Sequence, residues 1–175
     1  MHEWIDYIRA RTNENGLWMT NYQYGDWLAL DREAGESSVG ATDVYFVANA
    51  CYLHVTDLVA RTAHVLGKRT EEEKYRALYD RTLDSLRKEY YTARGRIVSE
   101  TQTACALSLC LNLAREADRE TILKTLVTNI ENHKNHLTTG FVGTPWLCHA
   151  LSENGAHETA VTLFRKEDCP SWLYE

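Results

Sequence analysis

The chain has 175 residues, enough for one domain with its own core, and its 44% apolar and 25% charged shares are those of an ordinary globular protein. A formal charge of −6 leaves no basic patch to neutralise phosphates, which argues against a nucleic-acid partner. No apolar run reaches membrane-spanning length and Met1-His2-Glu3-Trp4 lacks a signal pattern, so no membrane partner and a cytoplasmic location are expected.

In chain order, the pattern predicts helices throughout. A leading helix runs from about Glu3 to Arg11. From Val44 to Leu66 the positions Val47, Cys51, Val55, Leu58 and Val59 share one face, and Phe46, Ala50 and Leu53 widen it. Gly67 is placed to end this helix. Thr70 and Glu73 then form a capping-box pattern before a stripe of Tyr75, Leu78, Tyr79, Leu83, Leu86 and Tyr90. The very short turn between the two helices requires an antiparallel pair. A second pair follows: Thr103 to Leu113 is nearly all small or apolar, and Asp118 precedes a stripe of Ile122, Leu126 and Ile130. In the third, Thr144 stands as a cap before Pro145, with Trp146, Leu147, Ala150 and Leu151 behind. Gly155 separates these from a last helix through Ala160, Leu163 and Phe164.

In each pair the first helix is the more apolar and the second carries the charge. A ring of hairpins, apolar helices inside and amphipathic ones outside, produces that asymmetry. A solenoid would repeat a motif at constant period, whereas the first helices here start near 44, 103 and 145 with no shared motif. The expected fold class is therefore all-α: about seven helices as αα-hairpins, part of an (α/α)6 toroid, in a single domain over 1–175.

Cys51, Cys105, Cys110, Cys148 and Cys169 are odd in number and include no C-x-x-C, which points to small buried thiols rather than a disulfide frame or zinc site. His133 and His136 lie three apart but have no third ligand at suitable spacing, so no metal is expected.

In such a ring the inner helices all start at the same end, and the segments before them must converge. They are Asn21 to Asp43, Tyr91 to Gln102, and His136 to Thr144. Long connections rich in aromatic, hydroxyl and acidic side chains at one end of a scaffold are where binding resides. Tyr22-Gln23-Tyr24-Gly25-Asp26-Trp27 sets an aromatic face beside a carboxylate, which suits a sugar: C–H faces stack on Trp and the carboxylate accepts from hydroxyls. A core Trp27 with Asp26 capping a helix explains the same residues equally well. Asp43 reads first as an N-cap, and Glu100, Thr101 and Gln102 open the next helix in the same way. Around Thr139, Phe141, Thr144 and Trp146, Gly140 and Gly143 permit close backbone approach. A glycosidase needs two positioned carboxylates; Asp26, Asp43 and Glu100 lie in the converging loops, but spacing alone assigns none of them an acid or base role.

A series of blocks now carries a resemblance. Tyr24-Gly-Asp-Trp-Leu-Ala29, Thr42-Asp43, Thr101-Gln102-Thr103-Ala104, His136-Leu-Thr-Thr-Gly-Phe-Val-Gly-Thr-Pro145, Ala150-Leu-Ser-Glu-Asn-Gly155 and Pro170-Ser-Trp172 resemble, in order and spacing, the bacterial α-L-rhamnosidases of glycoside hydrolase family 78. The resemblance implies a bacterial (α/α)6-barrel catalytic domain that removes terminal α-linked L-rhamnose with inversion and without a cofactor. It makes Trp27 the first rhamnose contact, with Tyr24, Asp26, Thr139, Phe141 and Thr144 lining or supporting the pocket, and Asp43, Gln102 and Trp146 around it. It also places the family's general acid before the first residue and its general base after the Pro-Ser-Trp element. No catalytic residue is then expected in this chain, which reads as a fragment of the enzyme carrying part of the sugar pocket. The competing expectation is a non-catalytic carbohydrate-binding or protein-interaction helical module. Half a ring exposes apolar edges, so self-association into a homo-oligomer is expected.

Overall fold

The computed structural model describes residues 1–33 and 36–174. Among these there are seven α-helices: α1 (His2–Arg9), α2 (Val44–Val65), α3 (Arg69–Tyr90), α4 (Gln102–Cys110), α5 (Arg119–Asn132), α6 (Thr144–Ser152) and α7 (His157–Phe164). A single 3-10 turn, Glu116–Asp118, leads into α5. Extended pairing among the described residues is confined to two isolated bridges, Trp27 with Val39 and Tyr91 with Ile97. No helix among them is long and apolar enough to cross a membrane.

The helices pair as α2–α3, α4–α5 and α6–α7, and α4 lies between α2 and α6. This is the arc of hairpins the apolar asymmetry predicts, with α2, α4 and α6 forming the inner row. The middle helix carries the clearest evidence. Every residue from Gln102 to Leu109 is buried, so α4 is covered on its whole circumference, as a helix apolar all round must be. At the end of the arc α6 buries only Leu147, Ala150 and Leu151.

The first hairpin turns through Leu66, Gly67 and Lys68. Gly67 takes φ +66°, a left-handed conformation that glycine adopts without strain, and donates to the His64 carbonyl at 3.0 Å. Lys68 N–H donates to the Ala63 carbonyl at 2.9 Å, and α3 begins at the next residue. The expected Thr70–Glu73 capping box therefore does not form. Lys68 occupies the N-cap without a side-chain bond, and Thr70 already sits in the first helical turn. Asp118 occupies the N-cap of α5 but likewise makes no cap bond, because Arg115 takes its carboxylate. The second inner helix is shorter than the apolar run: Asn112 turns left-handed at φ +55°, and Leu113 and Ala114 both donate to the Ser108 carbonyl.

The widened apolar face of α2 is buried to different depths around the helix. Phe46, Val47, Ala50 and Leu53 enter the main core, whereas Cys51, Val55, Leu58 and Val59 are only half-buried. Cys51 nevertheless packs against the main core. A smaller cluster of Ile5, Ile8, Tyr52, Ala60, Tyr75 and Leu78 seats α1 against this hairpin, with Val55 and Val59 at its margin.

The two faces of α2 should respond differently to truncation. Phe46 is fully buried and meets Tyr90 edge-on at 5.2 Å, so Phe46→Ala should cost about 3–5 kcal/mol. Val55→Ala, on the half-buried face, should cost about 1 kcal/mol. Urea unfolding of both variants checks the assignment, and equal costs would reverse it.

Candidate functional site

The three connecting segments do converge at the starts of the inner helices, and Asp26 is where they are tied. Its side chain is fully buried. One carboxylate oxygen accepts from Val142 N–H at 2.8 Å and Gly143 N–H at 3.1 Å. The other accepts from Gly140 N–H at 2.7 Å and from the Thr103 hydroxyl. A helix start leaves free N–H groups and a partial positive charge, and a carboxylate satisfies both. Here the carboxylate comes from a loop more than a hundred residues away. That explains why Thr144 is not the cap its sequence position suggests. Gly143 holds the N-cap without a side-chain bond, and the Thr144 hydroxyl turns to the buried Thr139 at 2.8 Å.

Both glycines of this turn are required by contact. A Cβ on Gly140 would collide with the Trp27 carbonyl oxygen and the Ala29 nitrogen, and one on Gly143 with the Thr103 side chain. The close approach lets Phe141 N–H donate to the Trp27 carbonyl at 2.9 Å and Leu30 N–H to the Thr138 carbonyl at 2.8 Å. Trp27 and the Phe141 turn are thus direct neighbours at one mouth.

The other expected positions range from fully buried supports to exposed acids and rings. Gln102 is fully buried, its amide oxygen accepting from Thr138 N–H at 2.9 Å and its amide nitrogen donating to the His136 carbonyl at 3.1 Å. Asp43 caps α2, accepting from Phe46 N–H at 2.7 Å and from the Tyr90 hydroxyl at 3.0 Å. Burial and the adjacent Asp43 carboxylate push the Tyr90 hydroxyl strongly upward, which keeps it in the donating form. Thr42 and Thr101, beside the starts of α2 and α4, share a 2.6 Å hydrogen bond, and Thr101 caps α4 through Ala104 N–H. Glu100 is held by Arg96 at 2.7 Å. Trp146 lies apart from the loops, its ring edge-on to His54 of α2 at 5.6 Å.

Trp27 is half-buried and leads a train of rings: Tyr24 lies 5.7 Å from it and Tyr22 another 5.1 Å beyond Tyr24. Phe141 is 71% exposed. Together with Leu28, Thr139, Gly140, Thr144 and Pro145 it lines a shallow open depression of about 340 Å3. Sequence reasoning missed Leu28, Pro145, His54 and Asp31. Asp31 accepts from Ala41 N–H at 2.8 Å, and burial, with Asp26 nearby, raises its carboxyl above the usual range. Its signal was available, five residues past Asp26 in the same segment.

His136 moors the C-terminal stretch to the third segment: Nδ1 lies 2.9 Å from the Pro170 carbonyl and Nε2 lies 3.2 Å from Asp168. His133 instead bonds its own helix at Asn129. Among the described residues no group of three or more His, Cys, Asp or Glu side chains is placed to hold a metal. Cys105 is buried, Cys51, Cys110 and Cys148 are half-buried and Cys169 is exposed, all as free thiols. Burial pushes Cys105 and Cys110 up to about 12, which keeps them protonated and unreactive.

Asp26→Ala should leave the buried N–H groups of Gly140, Val142 and Gly143 without an acceptor and cost at least about 3 kcal/mol. Chemical denaturation measures it, and a loss under about 1 kcal/mol would remove Asp26 from the centre of the mouth.

Comparison with known proteins follows this geometry. Residues 1–175 match the family model described as the bacterial alpha-L-rhamnosidase 6 hairpin glycosidase domain. An alpha-L-rhamnosidase of Formosa agariphila is 32% identical over 175 residues, covering 99% of this chain and 19% of that protein. The crystal structure of the native rhamnosidase from Aspergillus terreus superposes with a TM-score of 0.86 at 33% identity, over 93% of this chain and 19% of that one. The Streptomyces avermitilis α-L-rhamnosidase complexed with L-rhamnose gives 0.86 at 32% identity, over 99% of this chain and 16% of that one. The chain therefore spans less than a fifth of the length of the relatives it matches.

Proposed function

The chain belongs to the bacterial α-L-rhamnosidase six-hairpin glycosidase domain family, and from that premise we propose that it is a stretch of a glycoside hydrolase removing terminal α-linked L-rhamnose with inversion. Its part is to supply one wall of the sugar pocket, while the general acid and base come from elsewhere in the enzyme. The observation that carries this reading is the meeting of Trp27 with the Phe141 turn over a buried Asp26. A rigid aromatic beside loop backbone, at the N-terminal ends of inner helices, is a surface on which a pyranose stacks and is oriented. The L-rhamnose held by a solved relative fits the same substrate class.

The chemistry supports assigning the carboxylates elsewhere. Inversion needs one acid to protonate the leaving oxygen and one base to activate water across the sugar. Asp26 has four donors on its oxygens, Asp43 has two and Glu100 is paired with Arg96, so each is already engaged in holding the fold. That same engagement favours a second reading, a carbohydrate-binding module without catalysis. The two differ in whether an acid and a base complete the pocket.

The 175-residue chain should bind L-rhamnose, and Trp27→Ala should weaken binding by about tenfold. It should not hydrolyse 4-nitrophenyl α-L-rhamnoside. Calorimetry and a release assay check the two statements; sustained turnover abolished by Asp31→Asn would place a catalytic acid within this stretch.

An arc of three hairpins has two open edges, and the described surface also exposes apolar side chains, among them Val65 at 83% and Phe164 at 53%. Three hairpins are half of six, and a second copy is the occupant proposed for these edges. Light scattering should then report a mass above that of one chain, with a concentration-independent monomer as the opposing result.

A further inference from the structure

Resting on the sugar reading of Trp27, we propose that Tyr22 and Tyr24 extend the shelf outward and bind the ring to which the terminal sugar is attached, so that they set preference for the leaving group. The backbone presents them for this. Asn21 at φ +65° and Gly25 at φ +56° bracket the segment with left-handed residues, so the stretch between them stands out as a loop tip. Within it Gln23 turns inward, half-buried, and its amide donates to the Thr20 carbonyl at 3.2 Å. The flanking tyrosines point the other way, Tyr22 70% and Tyr24 65% exposed.

The rings are arranged to receive rather than to cover one another. Tyr22 meets Tyr24 at 88° and Tyr24 meets Trp27 at 77°, with centroids 5.1 and 5.7 Å apart. An edge-to-face contact hides at most one ring face, so three rings in two such contacts leave at least four faces uncovered by each other. Side chains of this size left open beside a binding mouth mark a ligand surface rather than a packing error. The train is also longer than one monosaccharide requires, since each step adds about the breadth of another ring. The chemistry it recognises is a flat ring with an apolar face, which an aryl group and the C–H face of a second pyranose both provide.

Calorimetric titration of the 175-residue chain with methyl α-L-rhamnoside, phenyl α-L-rhamnoside and a rhamnosyl-glucose disaccharide separates the cases. At least one of the two-ring ligands should bind about fivefold more tightly than the methyl glycoside. Which one does so identifies the aglycone as aryl or sugar. Tyr22→Ala should bring that ratio close to one, and Tyr22→Phe should restore it, since the ring and not the hydroxyl is responsible. Equal affinity for all three ligands, or a ratio that survives Tyr22→Ala, overturns the proposal while leaving the sugar at Trp27 intact. Absence of binding by every ligand overturns the sugar reading and this extension with it.

Discussion

One buried carboxylate organises the functional end of this molecule. Asp26 places a carboxyl group at a fully buried position, and such a group is tolerated only when its oxygens are hydrogen-bonded. The donors come from the start of α4 and from the turn before α6, so satisfying the group forces three loops of distant sequence into one assembly. The demands spread outward from there. Gly140 and Gly143 must lack side chains, Trp27 must offer its carbonyl to Phe141, and Thr144 is released from capping to pair with Thr139.

A division of labour results. Of the polar side chains that sequence chemistry marks as ligand-binding, Asp26, Gln102 and Thr139 are buried and engaged with protein groups, whereas Thr144 is half-buried and Asp43 is exposed. What remains at the surface is mainly aromatic and aliphatic: Tyr22, Tyr24, Leu28 and Phe141, with Trp27 half-covered behind them. Polar groups thus fix the position of rings, and the rings meet the solvent side.

The helices and their pairing were legible because burial imposes a 3.6-residue period, and α4 and α3 display it in opposite degrees. The convergence of the loops followed from hairpin geometry alone. Capping was harder to read. The capping box at Thr70 and the cap at Thr144 are local patterns, and they lost to a three-residue turn around Gly67 and to a remote carboxylate. Asp26 itself was evenly balanced between ligand and support because its partners lie 77 to 117 residues away, beyond any local rule. The broad burial of α2 was legible because both its sides are apolar, while its division between two clusters depends on where α1, α3 and α4 lie. His54 gave no signal as one histidine within an apolar run, and its meeting with Trp146 depends on how two inner helices stand together.

The three-residue link around Gly67 also bears on the order of assembly. Bringing α2 against α3 closes almost no chain, whereas seating Asp26 beneath Gly143 closes more than a hundred residues and carries a correspondingly larger entropic penalty. The first hairpin is accordingly the natural early nucleus, and the mouth around Asp26 is the last region to take shape. Damage to the mouth would then speed unfolding while leaving the refolding rate nearly untouched, so its loss would register as a shorter native lifetime.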